Sequence, residues 1–231
     1  MWVFPLVAAA IAVVFATMLA RSYLERRRPY QLAWAIALAM YAAASAVVAW
    51  GALNGWTSTG FEVYWIFGAV LNVPFLAGGE TQLLFPRRDV TIAVWAALVA
   101  LTIAVLLVMR DATYSVSALG ESLPSGKEVF GDGSAAHRLP QLISIPSYVI
   151  LVGGASWSAW RMRGRPELRG RFVGTLLIML GATVIAAFGS AFAALGNLAG
   201  FSIALSVGIA VMFLGFLRAS RSTSAPASQV R

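Results

Sequence analysis

The stretch Val90–Met109, VTIAVWAALVALTIAVLLVM, contains no charged residue, and its only polar side chains are two threonines. As an α-helix it would be about 30 Å long, which matches the thickness of the hydrocarbon core of a bilayer. Arg87 and Arg88 precede the stretch and Arg110 follows it, so charges flank it on both sides. The stretch therefore predicts a transmembrane helix, and its scarcity of polar side chains predicts a lipid-facing position.

Six further apolar segments accompany this stretch. The chain has 231 residues, of which 60% are hydrophobic and 11% charged, with a mean hydropathy of +0.80. This composition excludes a water-soluble globular domain. The predicted fold class is all-α: a polytopic membrane protein with seven transmembrane helices in domain 1–219 and a disordered cytoplasmic tail at 220–231. The seven predicted segments are 2–20, 31–53, 62–86, 90–109, 141–160, 172–194 and 199–217.

The basic residues predict the orientation of these segments. If the seven segments alternate in direction, all the basic residues except Arg110, Lys127 and Arg138 lie on the same side. The positive-inside rule then places the N-terminus outside and the C-terminus in the cytoplasm, with the chain in the plasma membrane. The cluster at 26–28 after the first segment favours a retained helix over a cleaved signal peptide. We attribute the net charge of +8 to anchors at the lipid surface, and we predict no nucleic-acid partner.

Residues that the chain lacks exclude several chemistries. There is no cysteine, which excludes disulfides, thiolate nucleophiles and cysteine metal sites. The only histidine, His137, and the only lysine, Lys127, lie outside every apolar segment. A pair of intramembrane histidine ligands and a retinal Schiff base are therefore both unavailable. We predict no metal site, no cofactor and no catalytic residue.

Glu80 is the acidic residue placed well inside a predicted segment, about 10 Å from the membrane surface near Arg87. Because a buried carboxylate is costly in a membrane, Glu80 is the leading candidate for a proton or cation site. The third segment also carries Pro74, which removes a backbone hydrogen bond and predicts a kink. The other candidate binding or kink residues in this segment are Glu62, Asn72, Gly78, Gly79, Thr81 and Gln82.

Two interpretations of Glu80 stay open. In the first, Glu80 titrates or coordinates a cation in a broken helix, an arrangement found in transporters. In the second, it pairs with an arginine such as Arg87 or Arg27 and pins the helix ends together. Glu62 lies eighteen residues earlier, about five turns, and would share a face with Glu80 if the helix were straight.

Small residues and tryptophans predict packing and membrane depth. A stripe at Ala182, Ala186 and Ser190 in the sixth segment, and one at Gly200, Ala204 and Gly208 in the seventh, predict close helix packing. Trp56 and Trp65 lie near a predicted segment boundary, where indole rings anchor at headgroup level.

The extracytoplasmic loop 110–140 is long and rich in turn residues. It predicts either a lid or binding loop, or a plain solvated tether. The first three and the last three segments share an orientation, which allows a parallel three-helix repeat with the fourth segment as a spacer.

Four segments carry a resemblance to known proteins: Arg26–Trp34 (RRRPYQLAW), Leu151–Ala155 (LVGGA), Met212–Phe216 (MFLGF) and the run from Leu180 to Gly196. Together they resemble an uncharacterised seven-helix integral membrane protein family of high-GC, actinobacterial-type bacteria. The resemblance implies the fold and a bacterial source, and it carries no activity and no catalytic residue to this chain.

Because few polar side chains lie inside the predicted segments, the sequence favours a non-catalytic membrane module. Such a module would bind a small molecule or lipid, or serve as a subunit beside a membrane protein partner. The alternative is a small-solute transporter or channel that uses Glu80 in its broken third helix. An enzyme is least favoured, because no acid–base pair or metal cluster converges.

Overall fold

The computed structural model describes residues 1–221, which contain no β-strand and are 86% helical. Seven helices are long and apolar enough to cross a membrane, as predicted. They are α1 (Val3–Arg26), α2 (Pro29–Asn54), α3 (Ser58–Leu84), α4 (Arg88–Arg110), α5 (Ala135–Met162), α6 (Pro166–Ala194) and α7 (Leu198–Arg221). The protein is therefore an all-α integral membrane protein. The predicted tail at 220–231 overlaps the last two residues of α7, and its remainder lies outside the described residues.

The helices extend past the apolar segments at their polar ends. α1 continues to Arg26 and ends at Arg27, whose φ of 52° is left-handed and whose N–H donates to the Tyr23 carbonyl at 2.7 Å. Pro29 occupies the first turn of α2, where its missing N–H costs no helical hydrogen bond. A left-handed residue followed by proline thus separates the first two helices within a few residues.

Six helices form a closed ring in the order α1, α2, α3, α5, α6, α7, since each packs against the next and α7 packs against α1. α4 stands outside this ring, against the later part of α3 and the first turn of α5. Only Leu98, Val105 and Met109 of α4 are buried by protein, in agreement with its predicted lipid-facing position. The ring order is also the order that two parallel three-helix repeats joined by α4 would produce.

Glycine contacts hold α6 against α7. A Cβ at Gly215 would lie 2.6 Å from the Gly174 carbonyl oxygen, and one at Gly208 would lie 2.8 Å from the Gly181 carbonyl oxygen. The two helix backbones therefore touch at two levels seven residues apart, a spacing of two helical turns.

These contacts correct part of the predicted small-residue stripe. Ala182, Ala204 and Gly208 are buried as expected, and Ala186 and Gly200 are half-buried. Ser190, however, is exposed. Residues Val184–Gly189 form a π-helical turn, which changes the angular spacing along α6. A stripe drawn at a constant spacing of four residues therefore leaves the α7 interface before Ser190.

Residues 111–134, which we call the cap, fold onto one end of the ring. They contain a 3₁₀ turn at Ser117–Gly120 and a short helix at Gly126–Phe130. Leu119, Leu123 and Val129 of the cap are buried. The predicted loop 110–140 is therefore a packed segment and not a solvated tether, and its last residues already belong to α5.

Candidate functional site

Helix α3 changes its geometry in the middle. Ser58–Tyr64 are α-helical, Trp65–Leu71 form a π-helical turn, and the α-helix resumes at Asn72. Pro74 cannot donate a hydrogen bond to the carbonyl of Val70, four residues earlier. The hydroxyl of Ser144 in α5 donates to that carbonyl at 3.0 Å, and the Ala69 carbonyl lies 2.7 Å from the same hydroxyl. A neighbouring helix therefore supplies the donor that the proline lacks.

The two glycines of α3 admit neighbouring side chains. A Cβ at Gly78 would lie 3.0 Å from Cδ1 of Leu98 in α4, and the backbone of Gly79 lies directly against the Trp34 ring of α2. The indole N–H of Trp34 donates to the Leu76 carbonyl at 3.0 Å. Gly78 and Gly79 thus serve close packing on two sides of α3.

Glu80 points toward α5 and is 5% exposed. A Cβ at Gly154 would lie 2.8 Å from Glu80 Cγ, 3.3 Å from Oε1 and 2.8 Å from Leu84 Cδ1. Among the side chains that the structure describes, none forms a hydrogen bond or an ion pair with the Glu80 carboxyl group. The predicted arginine partner is therefore wrong: Arg87 and Arg27 are both exposed and do not reach Glu80.

The remaining candidates of α3 are not gathered around Glu80. Asn72 donates to the Ala37 carbonyl of α2 at 2.6 Å, and Thr81 donates to the Ala77 carbonyl of its own helix at 2.9 Å. Gln82 is 3% exposed, and neither atom of its amide group has a hydrogen-bond partner. Two residues turn a helix by about 200°, so Gln82 lies on a different face from Glu80.

Glu62 lies at the cap end of α3, far from Glu80 along the helix. It is half-buried beside the Tyr114 hydroxyl of the cap. Burial, and next the negative charge of Glu62, raise the pKa of Tyr114 to about 12. Glu62 thus has a cap residue as its neighbour, whereas Glu80 lies against Gly154 of α5.

An aromatic cluster beneath the cap was not predicted. Trp56 and Trp65 are each 8% exposed, and they pack with Phe61, Tyr64 and Phe130. Their indole N–H groups donate to the carbonyls of Ser122 and Ala136, both at 3.1 Å. Both rings therefore pack against protein and not against lipid, and their depth relative to the headgroups stays a prediction.

Gly126 of the cap is the residue whose identity could have indicated this cluster. Its backbone lies directly against the Trp65 ring, so a side chain at this position would overlap the indole. A glycine at the start of a cap helix could have suggested a close neighbour, but its partner is 61 positions away in the chain. The partner could not be identified from local pattern alone.

A cavity of about 600 Å³ opens beside this cluster. Its walls come from the turn between α2 and α3, from the cap and from the start of α7. Glu121 is the ionisable side chain among its lining residues.

No protein-family model matches this chain, and neither a curated protein nor a solved structure does. The resemblance to a family of high-GC bacteria accordingly stays a prediction.

Proposed function

We propose that the protein is a non-catalytic membrane module in which protonation of Glu80 controls the contact between α3 and α5. The observation that carries this proposal is a buried carboxyl group with no hydrogen bond or ion pair among the described residues. A neutral carboxylic acid fits against Gly154 and Leu84, whereas a carboxylate there would lack any compensating charge. Deprotonation would therefore favour separation of the two helices and entry of water.

A proton suits this position better than a metal ion. Hard cations need several oxygen ligands, and the neighbours recorded for Glu80 are Gly154 and the aliphatic side chain of Leu84. Among residues 1–221, no group of three or more His, Cys, Asp or Glu side chains is placed to hold a metal ion. We therefore take the ligand of Glu80 to be a proton.

The engagement of nearby polar groups favours a module over a transporter. Asn72 and Thr81 already donate to backbone carbonyls, and Gln82 lies on another face of α3. Glu80 thus lacks the adjacent polar side chains that would line a solute path. In this proposal the module lies in the plasma membrane with the cap outside. A change in the α3–α5 contact alters its binding of a small molecule, a lipid or a membrane protein partner.

A spin-label distance measurement tests the module. The chain has no cysteine, so Leu83→Cys in α3 and Trp157→Cys in α5, both at exposed positions, would give a unique pair of labels. We expect the label distance in lipid nanodiscs to change between low and high pH, and Glu80→Gln to abolish the change. Glu128→Gln, which alters an exposed cap carboxylate, serves as the matched control. A pH-dependent distance that survives Glu80→Gln contradicts the proposal.

The second candidate is a proton-linked small-solute transporter. The supporting observation is that Glu80 and Gly154 lie where the α1–α3 half of the ring meets the α5–α7 half. Motion of such halves against each other is a common basis of alternating access. Proteoliposomes that contain a pH-sensitive dye would detect this activity. Solute-dependent proton movement that Glu80→Gln abolishes favours the transporter, and its absence across a solute panel favours the module.

A further inference from the structure

The cavity beside the aromatic cluster is built from three separate parts of the chain. Residues between 51 and 58 form the first wall and cap residues between 116 and 122 form the second. Leu198 at the start of α7 forms the third. Its volume of about 600 Å³ lies within the range of small-molecule sites. The cavity is far from Glu80 and does not depend on the proposed role of that residue.

The charge in this cavity comes from Glu121, whose side chain is exposed. The C-terminal end of α2 and the N-terminal end of α3 both border the cavity, and their opposite helix dipoles offset one another. At the start of α3, the Thr57 hydroxyl and carbonyl already accept from the N–H groups of Gly60 and Phe61. The carboxylate of Glu121 therefore determines that a cation, and not an anion, is favoured.

The remaining wall is mostly apolar. Trp56 and Leu119 belong to the core and are only 8% and 7% exposed, so the accessible apolar surface comes from the half-buried Leu198 and from Val116 at the rim. A ligand that matches this wall needs methyl or methylene groups in addition to its positive charge.

We propose that this cavity binds a small organic cation of the quaternary ammonium type, with its charge beside Glu121 and its methyl groups against Leu198 and Val116. The same chemistry occurs in free choline and in the headgroup of phosphatidylcholine. Both sources would present a trimethylammonium group at the membrane surface near the cap.

Calorimetric titration of the full chain with choline tests the assignment. The protein would be held in phosphatidylglycerol nanodiscs, so that no lipid carries the same headgroup. We expect saturable binding of one choline per chain, weakened about tenfold or more by Glu121→Gln. Dimethylbutanol, in which carbon replaces the nitrogen, should bind at least about tenfold more weakly than choline, since it lacks the charge. Equal binding of the alcohol, or no saturable choline binding, overturns the proposal.

Two further variants locate the ligand. Glu128→Gln removes the same charge from the cap away from the cavity and should leave choline affinity unchanged. Gly120 is exposed and lines the cavity, and a Cβ there meets no atom within 4 Å, so Gly120→Phe places a bulky ring at the cavity wall and should weaken binding. Unchanged affinity in Gly120→Phe would place the ligand elsewhere and overturn the assignment.

Repeating the titration in phosphatidylcholine nanodiscs separates the two sources of the cation. Weaker apparent choline affinity there would show that the lipid headgroup competes for the cavity. Equal affinity in both lipids would show that the cavity takes the free cation.

Discussion

Gly154 of α5 lies so close to Glu80 of α3 that a Cβ on the glycine would come within 2.8 Å of the Glu80 Cγ atom. The next residue back, Gly153, has no atom within 4 Å of the corresponding position. Adjacent glycines in one helix thus have different roles. Gly154 admits the carboxyl side chain, and Gly153 leaves the packing unaffected.

The glycine pair gives the first prediction. Gly154→Ala should lower the stability of the protein by about 1–3 kcal/mol, because the new methyl group overpacks the α3–α5 contact. Gly153→Ala is the matched control, and it should be neutral or slightly stabilising because alanine favours the helix. Resistance to a denaturing detergent in mixed micelles would compare the two variants. Equal effects would mean that the backbone of Gly154 is not pressed against Glu80.

Ser144 gives the second prediction. Ser144→Ala removes the donor to the Val70 carbonyl, which Pro74 cannot replace, and should cost about 1 kcal/mol. Ser147→Ala is the control, since the Ser147 hydroxyl donates at 2.7 Å to Ile143 of its own helix. The same unfolding assay applies. A larger effect from Ser147→Ala would contradict the assigned role of Ser144.

The α6–α7 contact gives the third prediction. Gly215→Ala should destabilise the bundle, since the added methyl group would meet the Gly174 carbonyl at 2.6 Å. Ser190→Leu should be tolerated, because Ser190 is exposed and a leucine there can face lipid. Thermal aggregation of the solubilised protein would measure both. If Ser190→Leu were the more destabilising variant, Ser190 would belong to the helix interface, as the small-residue stripe predicts.

Tyr114 gives a pH-dependent prediction. Burial and the Glu62 charge raise its pKa to about 12, so the folded cap favours the neutral phenol. The stability that this group contributes is fully present below the ordinary tyrosine pKa near 10, and it is lost as the pH rises toward 12. Alkaline titration of phenolate absorbance should show a late-titrating tyrosine that is absent from Tyr114→Phe. Glu62→Gln should move that titration to lower pH, and no movement would remove Glu62 as a cause.

Sequence reasoning identified the seven helices because hydropathy over about 20 residues depends only on local composition. It also identified Glu80 and Pro74 as unusual, since both are costly in a membrane helix wherever their neighbours lie. Their partners were not predictable. Ser144 meets Val70 across 74 positions, and Gly154 meets Glu80 across the same number. Such pairs depend on the ring order of the helices, which hydropathy does not encode.

The cap and the π-helical turns were missed for different reasons. The cap has the turn-rich composition of a loop, and its buried side chains are too few to form an apolar segment. The turns at Trp65–Leu71 and Val184–Gly189 alter helical spacing without a distinctive residue pattern. Because such turns change the angular spacing of side chains, a face drawn at constant spacing over many turns fails, as it did for Ser190.

The proposed module depends on the exchange of a proton by Glu80 within the α3–α5 contact. Infrared difference spectroscopy of the protein in nanodiscs, recorded as the pH is raised, tests it most directly. We predict a protonated carboxyl band that loses intensity during the titration, is missing from Glu80→Gln and is retained in Glu128→Gln. A Glu80→Gln spectrum that matches the wild-type spectrum at every pH would contradict the claim.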